Sequence, residues 1–226
     1  MANNLKQKEM IVMIVSKRMA QNPVTIAPDD SIDAAMTAMR KGKFRRLPVV
    51  EEGRLVSFIS DRDLMRVAPS PATTLSKFEE KSLLAKLKVK DIMPNKVISI
   101  SDEATIEEAA LLMEQNKIGG LPVISSVGVV VGVITETDIF KTFIDVMGLA
   151  KGKTRITIEV EDKVGVVYEL ASVFKDAGLS IDSLVTCKQP DGKYEIVIRG
   201  NIPDAEDIKS KIEEHGYKVI HSVKIG

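Results

Sequence analysis

The strongest constraint on this chain is that it states one pattern twice. Residues 47–65 read LPVVEEGRLVSFISDRDLM and residues 121–140 read LPVISSVGVVVGVITETDIF. Each copy has an apolar run opened by Leu-Pro-Val, a turn around Gly53 or Gly128, and a second apolar run. Each closes on a hydroxyl, two polar residues and an aspartate, Ser60 with Asp63 and Thr135 with Asp138. The offset is about 74 residues and slips by one only at the turns, as in a duplicated unit with loop insertions. Chance similarity does not keep such a register.

The flanking residues predict the same elements in both halves. Residues 13–19 suggest a short helix, and Pro23, Val24, Thr25 and Ile26 an extended piece. Ser31 is placed to cap a helix whose Ile32, Ala35, Met36 and Met39 share one face, with Gly42 at its end. Strands are expected over 46–50 and 55–60, joined at Glu51-Glu52-Gly53, with a helix from Asp61. In the second half Val97, Ile98 and Ile100 echo the extended piece. Thr105 and Glu108 form a capping box before Ile106, Ala109, Ala110 and Met113. Pro69, Pro71, Thr73 and Thr74 interrupt the pattern, and Leu75, Phe78, Leu83, Leu84 and Leu87 suggest a helical connector. The last helix of the repeat, through Ile139, Phe140, Phe143, Ile144 and Met147, stops at Gly148.

Beyond a polar hinge at Lys151-Gly152-Lys153 the pattern changes. Strands are expected over 155–160, 181–188, 194–199 and 218–224, with helices over 166–177, on the stripe Val167, Leu170, Ala171 and Phe174, and over 205–214. Strand-helix-strand-strand-helix-strand is the ferredoxin-like arrangement. The predicted fold class is α+β: two β-α-β-β-α units, then a βαββαβ domain. The expected divisions are 12–68, a connector 69–89, a second unit 90–148, a hinge 149–153, and a last domain 154–226.

Length and charge narrow the function. At 226 residues the chain accommodates two ordinary domains, and its 32 Lys plus Arg balance 32 Asp plus Glu. Zero net charge leaves no electrostatic footprint for a nucleic-acid backbone. Cys187 is the only cysteine, which excludes an intrachain disulfide and a cysteine metal cluster. No small-residue cleavage site follows the opening MANNLKQKEMIVMIV, and no apolar run reaches the roughly 20 residues that span a bilayer. A soluble, cytoplasmic protein without nucleic-acid or membrane partners is expected.

With these motifs laid out, the duplicated unit resembles the cystathionine beta-synthase (CBS) domain pair, or Bateman module, through its Leu-Pro-Val strand and closing hydroxyl-x-x-Asp. The C-terminal part resembles an ACT domain. Their order, with the intervening phrase PSPATTLS, resembles the bacterial acetoin-utilization family of CBS-CBS-ACT proteins. The resemblance implies an adenosyl ligand, an adenine nucleotide (AMP, ADP or ATP) or S-adenosylmethionine, in clefts between the copies. It also implies that the two units are packed as a pseudo-two-fold pair, and it implies homodimerisation and a regulated partner protein.

The residue types suit such ligands. An aspartate accepts hydrogen bonds from both ribose hydroxyls, while a Ser or Thr at a helix start offers its hydroxyl and free N–H groups to phosphate. Ser60 and Thr135 are the candidate phosphate donors, and Asp63 and Asp138 the ribose acceptors. Val24, Thr25, Ile26, Val97, Ile98 and Ile100, with Pro48 and Pro122, are expected to supply faces for adenine. Arg45, Arg46 and Arg62 stand near the first site, where the second has Gly119, Gly120 and Thr137, so polyphosphates are expected to prefer the first. A hydroxyl three residues before an acid also caps a helix with no ligand present; it is the duplication of the whole pattern that favours binding.

In the ACT-like part Asp162, Lys163, Val164 and Gly165 form the loop that receives an amino acid in sensing ACT domains. Val164 replaces the common proline, and Ser180 stands where an asparagine often binds. A purely dimerising ACT domain and an amino-acid sensor with Asp162, Lys163, Gly165 and Ser180 therefore both stay open.

Other signals carry less. GLAKGKT at 148–154 has too few residues between its glycines for a phosphate loop and follows a helix instead of preceding one. His215 and His221 have no nucleophile or ligand partner, Cys187 is expected to pack in a strand, and Met36, Met39 and Met113 are expected in the core. No catalytic set or metal site emerges. The expected function is non-catalytic regulation by an adenosyl ligand; the alternatives are an amino-acid sensor and a structural interaction module with empty clefts.

Overall fold

The computed structural model describes residues 13–69, 76–149 and 152–225; expectations for residue 12, for 70–75 and for Lys151 lie outside these. Two compact units divide between Ile139 and Phe140.

In the first unit, α1 (Val15–Arg18) and β1 (Ala20–Gln21) precede α2 (Ile32–Gly42), β2 (Arg46–Glu51), β3 (Arg54–Ser60) and α3 (Asp61–Val67). After α4 (Lys77–Lys86) come β4 (Ile100–Ser101), α5 (Ile106–Asn116), β5 (Gly120–Ile124), β6 (Val130–Thr135) and α6 (Glu136–Val146), the last running into the second unit. Expected and observed elements agree in order. The extended pieces differ: Ile26 makes only an isolated parallel bridge to Val49, and the strand expected over 97–100 is reduced to Ile100–Ser101. The helix expected over 13–19 is one turn long.

Local chemistry explains the agreement. Ser31 Oγ accepts from the Ala34 N–H, and Thr105 with Glu108 forms the expected capping box. Both helices end with a lysine in the left-handed region, Lys43 (φ 54°) and Lys117 (φ 55°). Gly42 is thus the last helical residue, not the left-handed cap. It is small because a Cβ there would lie 1.9 Å from the Phe44 ring. The β2–β3 hairpin turns through Glu52 and Gly53, both at positive φ, as a two-residue turn requires. The β5–β6 turn is longer, with the Ser125 N–H donating to Val129 O, which accounts for the one-residue slip of the repeat.

Each copy's core is completed by the segment that precedes the other copy. Val15, fully buried, joins Ile106, Ala109, Leu121 and Ile134, while Val89, equally buried, joins Ile32, Leu47, Ile59 and Leu64. The Val15 N–H donates to Ala104 O (2.8 Å) and the Val89 N–H to Asp30 O (2.9 Å). Likewise Ser16 donates to Asp102 O and Lys90 to Pro28 O, while Ile106 donates to Met13 O and Ile32 to Leu87 O. Every such pair is related by the repeat offset of about 74 residues. Strand β1 accordingly pairs with β6 of the second copy, in the sheet order β1-β6-β5-β4.

Connector helix α4 buries Leu84, but Phe78 and Leu83 point outward, against the expected stripe. In α6 Phe140, Phe143 and Ile144 are exposed.

The second unit holds β7 (Thr154–Val160), α7 (Val166–Asp176), β8 (Ile181–Lys188), β9 (Tyr194–Gly200), α8 (Ala205–Glu214) and β10 (Lys218–Lys224). Its antiparallel sheet runs β10-β7-β9-β8, the expected ferredoxin-like order. Helix α7 buries Val166, Leu170, Val173 and Phe174; Val167, expected inward, is exposed. Cys187, expected to pack, is exposed on edge strand β8.

Candidate functional site

Two cavities flank the junction of the CBS-like copies within the first unit. One, of about 580 Å³, has Ser60 and Asp63 at its lip, with Pro94, Val97 and Ile98 as its apolar wall and Phe58 and Ile118 beside them. The other, of about 320 Å³, has Thr135, Thr137 and Asp138 at its lip and Ala20, Pro23 and Val24 as its wall, with Phe44 and Val133 alongside. The two walls are repeat equivalents, and each belongs to a segment exchanged between the copies. Both volumes fall in the range of small-molecule sites.

The lips are built alike. Asp63 Oδ2 accepts from the Ser60 N–H (2.9 Å) and from Ser60 Oγ (2.6 Å). Asp138 Oδ2 accepts from the Thr135 N–H (3.0 Å) and from Thr135 Oγ1 (2.7 Å). Each strand thus ends in a hydroxyl residue bonded to a carboxylate in the first turn of α3 or α6; at Ser60 the bond is reciprocal, the Asp63 N–H donating to Ser60 Oγ (3.4 Å). The same bonds hold each carboxylate at the edge of its cavity.

The charge distribution corrects the sequence expectation. Arg45 and Arg46 were expected at the first site; they line both cavities, together with Gly119 and Glu136. The larger cavity keeps its basic excess on other residues, Arg62, Arg66, Lys96 and Lys117, whereas the smaller adds only Lys43. The Arg46 guanidinium lies across the glycine pair. A Cβ on Gly119 would meet its Nη2 at 2.5 Å and Glu136 Oε2 at 2.6 Å, and one on Gly120 would meet its Cδ at 3.0 Å. Burial, then the like charge of Arg45, pulls the Arg46 pKa below its ordinary value, while Glu136 and Asp61 oppose the shift.

Among the other expected site residues, Gly120 lines the larger cavity. Thr25, Ile26, Pro48, Ile100 and Pro122 line neither. Ile26 accepts core packing and donates its N–H to Pro48 O, Ile100 is buried in β4, and both prolines are buried in their strands. Sequence reasoning missed Ala20, Pro23, Phe44 and Lys96. Only Pro23 carried a signal, the repeat aligning it with the expected site residue Val97.

A third cavity, of about 280 Å³, lies in the second unit against Asp162, Lys163, Gly165, Tyr168, Thr186 and Tyr194. Gly165 opens α7 at φ 98°, a conformation that favours glycine. Lys163 Nζ lies 2.8 Å from Glu161. Ser180 is not part of this cavity. Among the described residues no cluster of His, Cys, Asp and Glu fits a metal ion, and no helix is long and apolar enough to cross a membrane.

Comparison with known proteins agrees with this architecture. The CBS domain family model matches residues 14–70 and 89–145, and the ACT domain model matches 154–216. A CBS domain-containing protein of Dictyostelium discoideum is 32% identical over 136 residues, 60% of this chain and 94% of that protein. Among solved structures, a putative acetoin utilization protein, AcuB, from Vibrio cholerae is similar at 27% identity and a TM-score of 0.49, covering 61% of this chain and 95% of the other. CBSX2 from Arabidopsis thaliana in complex with AMP is similar at 26% identity and a TM-score of 0.48, covering 59% and 97%. With both copies matched along half of its length and a distinct domain matched after them, the chain belongs to the CBS domain family as a CBS pair followed by an ACT domain.

Proposed function

We propose that this protein is a non-catalytic regulator that binds an adenosyl ligand, an adenine nucleotide or S-adenosylmethionine, in the clefts of its CBS pair and relays occupancy to a partner protein. The observation that carries this is the duplicated cleft: an apolar wall, a helix-start hydroxyl and an aspartate converge on each of two repeat-related cavities. The wall suits a planar base, the carboxylate a ribose diol, and the helix start with its neighbouring cations a phosphate. Arg62, Arg66, Lys96 and Lys117 give the larger cleft the greater affinity for polyphosphates, and the smaller one suits a less anionic ligand. Each cleft is walled by a segment of the opposite copy, so occupancy favours one packing of the pair, by as much as the ligand's affinity differs between packings. The protein acts as a cytoplasmic homodimer; the domain order points to acetoin- or acetate-type carbon metabolism.

A second reading is favoured by the cavity at Asp162, Lys163 and Gly165: an amino-acid sensor in which the ACT domain holds the ligand and the CBS pair is scaffold. A thermal-shift screen of AMP, ATP, S-adenosylmethionine and the common amino acids separates the two, because a ligand that binds only the native state raises its apparent stability. Stabilisation by the adenosyl compounds is expected. Stabilisation by amino acids alone would overturn the proposal in favour of the second reading.

A further inference from the structure

The wall between the two clefts is asymmetric in a way that their lips are not. Four residues face both cavities: Arg45, Arg46, Gly119 and Glu136. Under the repeat, Arg45 and Arg46 are the equivalents of Gly119 and Gly120, and the backbone there is the same in both copies. The Asp61 N–H donates to Arg45 O as the Glu136 N–H donates to Gly119 O, and Arg46 pairs with Ser60 as Gly120 pairs with Thr135. A symmetric pair would carry the same side chains at these two positions in both copies. Here the first copy has two arginines at these positions and the second has two glycines, and the missing side chains make the room through which the Arg46 guanidinium crosses the wall.

We propose that the clefts share the guanidinium of Arg46, so that a phosphorylated adenosyl ligand in one cleft weakens the binding of a second phosphorylated ligand in the other, while an unphosphorylated adenosyl ligand escapes this penalty. The first phosphate to bind draws the guanidinium toward itself. The second then meets a wall that has lost that partner, still carries the Glu136 carboxylate, and has a bound anion behind it. The low dielectric of a half-buried wall preserves such an effect, which open solvent would screen. Arg45 is exposed on the same wall and is not among the groups that lie against the glycines. Negative coupling of this kind favours the mixed state, one phosphorylated ligand and one unphosphorylated, over the form with two phosphorylated ligands.

This inference presupposes that the clefts take adenosyl ligands, and the test separates the two claims. AMP and adenosine are titrated calorimetrically into the full chain, into Asp63→Ala and Asp138→Ala, each of which leaves one cleft intact, and into the same set carrying Arg46→Gln. Where an alanine variant does not fold, the asparagine variant, which keeps an acceptor for the cap, replaces it. The expected result is a second AMP step in the unmodified chain about tenfold weaker than the weaker single-cleft affinity, about 1.4 kcal/mol of coupling. Arg46→Gln removes that gap, and adenosine shows none. The shared guanidinium is overturned, with the proposed function intact, if the two AMP steps reproduce the single-cleft affinities or if the gap persists in Arg46→Gln. Absence of AMP and adenosine binding throughout would instead overturn the proposed function and this inference with it.

Discussion

At the scale of single residues, the pair Gly119 and Gly120 matters for the space it leaves, not for its backbone. Neither has positive φ, and the groups that a Cβ on Gly119 would meet are the far ends of two flexible side chains, Arg46 and Glu136. Gly119→Ala is therefore expected to change folding stability by less than about 1 kcal/mol while displacing the guanidinium and weakening AMP binding. Denaturant unfolding and calorimetry on the same preparation check it; a large loss of stability with unchanged affinity would contradict it. In the ACT domain, the Tyr217 hydroxyl donates to Glu169. Burial, then this carboxylate, pushes the Tyr217 pKa up to about 12 from 10.0. A raised folded-state value means the folded chain holds the proton more tightly than the unfolded chain. The contribution to stability is thus fully present below about pH 10 and is lost as pH rises toward about 12. Glu169→Gln should lower the midpoint of phenolate absorbance toward 10.0 without reaching it, because burial remains; an unchanged midpoint would contradict the assignment.

At the scale of elements, the defining feature is the exchange of the segments that precede each copy. Val15 and Val89 are fully buried, each in the core of the other copy, so Val15→Ala and Val89→Ala should each cost about 2 kcal/mol. Each should also raise hydrogen exchange first in the copy it packs against, not in the one it adjoins in sequence. Thr105→Ala should cost about 1 kcal/mol, since the Thr105–Glu108 box caps α5 without lining a cleft. What was legible in the sequence follows from the same distinction. Helices α2, α5 and α8 and both hairpins were readable because caps, turns and 3.6-residue stripes are local. The cavity walls at Ala20 and Pro94 were not, because they arise from contacts far apart in the chain. For the same reason Arg45 and Arg46 were assigned to one cleft by proximity in sequence, whereas their position on the shared wall is set by packing. Val167 and Cys187 were misplaced because an apolar residue at a helix margin or on an edge strand carries no sequence mark of the face it takes.

At the scale of the whole molecule, the CBS pair is a single device, in that neither copy has its full core or its full cleft without the other. Under the proposed function, ligand binding therefore requires the pair, and separate expression of residues from one copy is expected to give a protein that neither folds cooperatively nor binds AMP. In the proposed function the clefts are ligand sites, with Asp63 and Asp138 as their ribose acceptors. The most direct test is a calorimetric titration of AMP into the unmodified chain and into the Asp63→Ala/Asp138→Ala double variant, with the fold of both checked by thermal unfolding. Binding to the unmodified chain and a loss of at least about tenfold in the double variant, more than 1.4 kcal/mol, is the predicted result. Undiminished AMP binding by a folded double variant would contradict it.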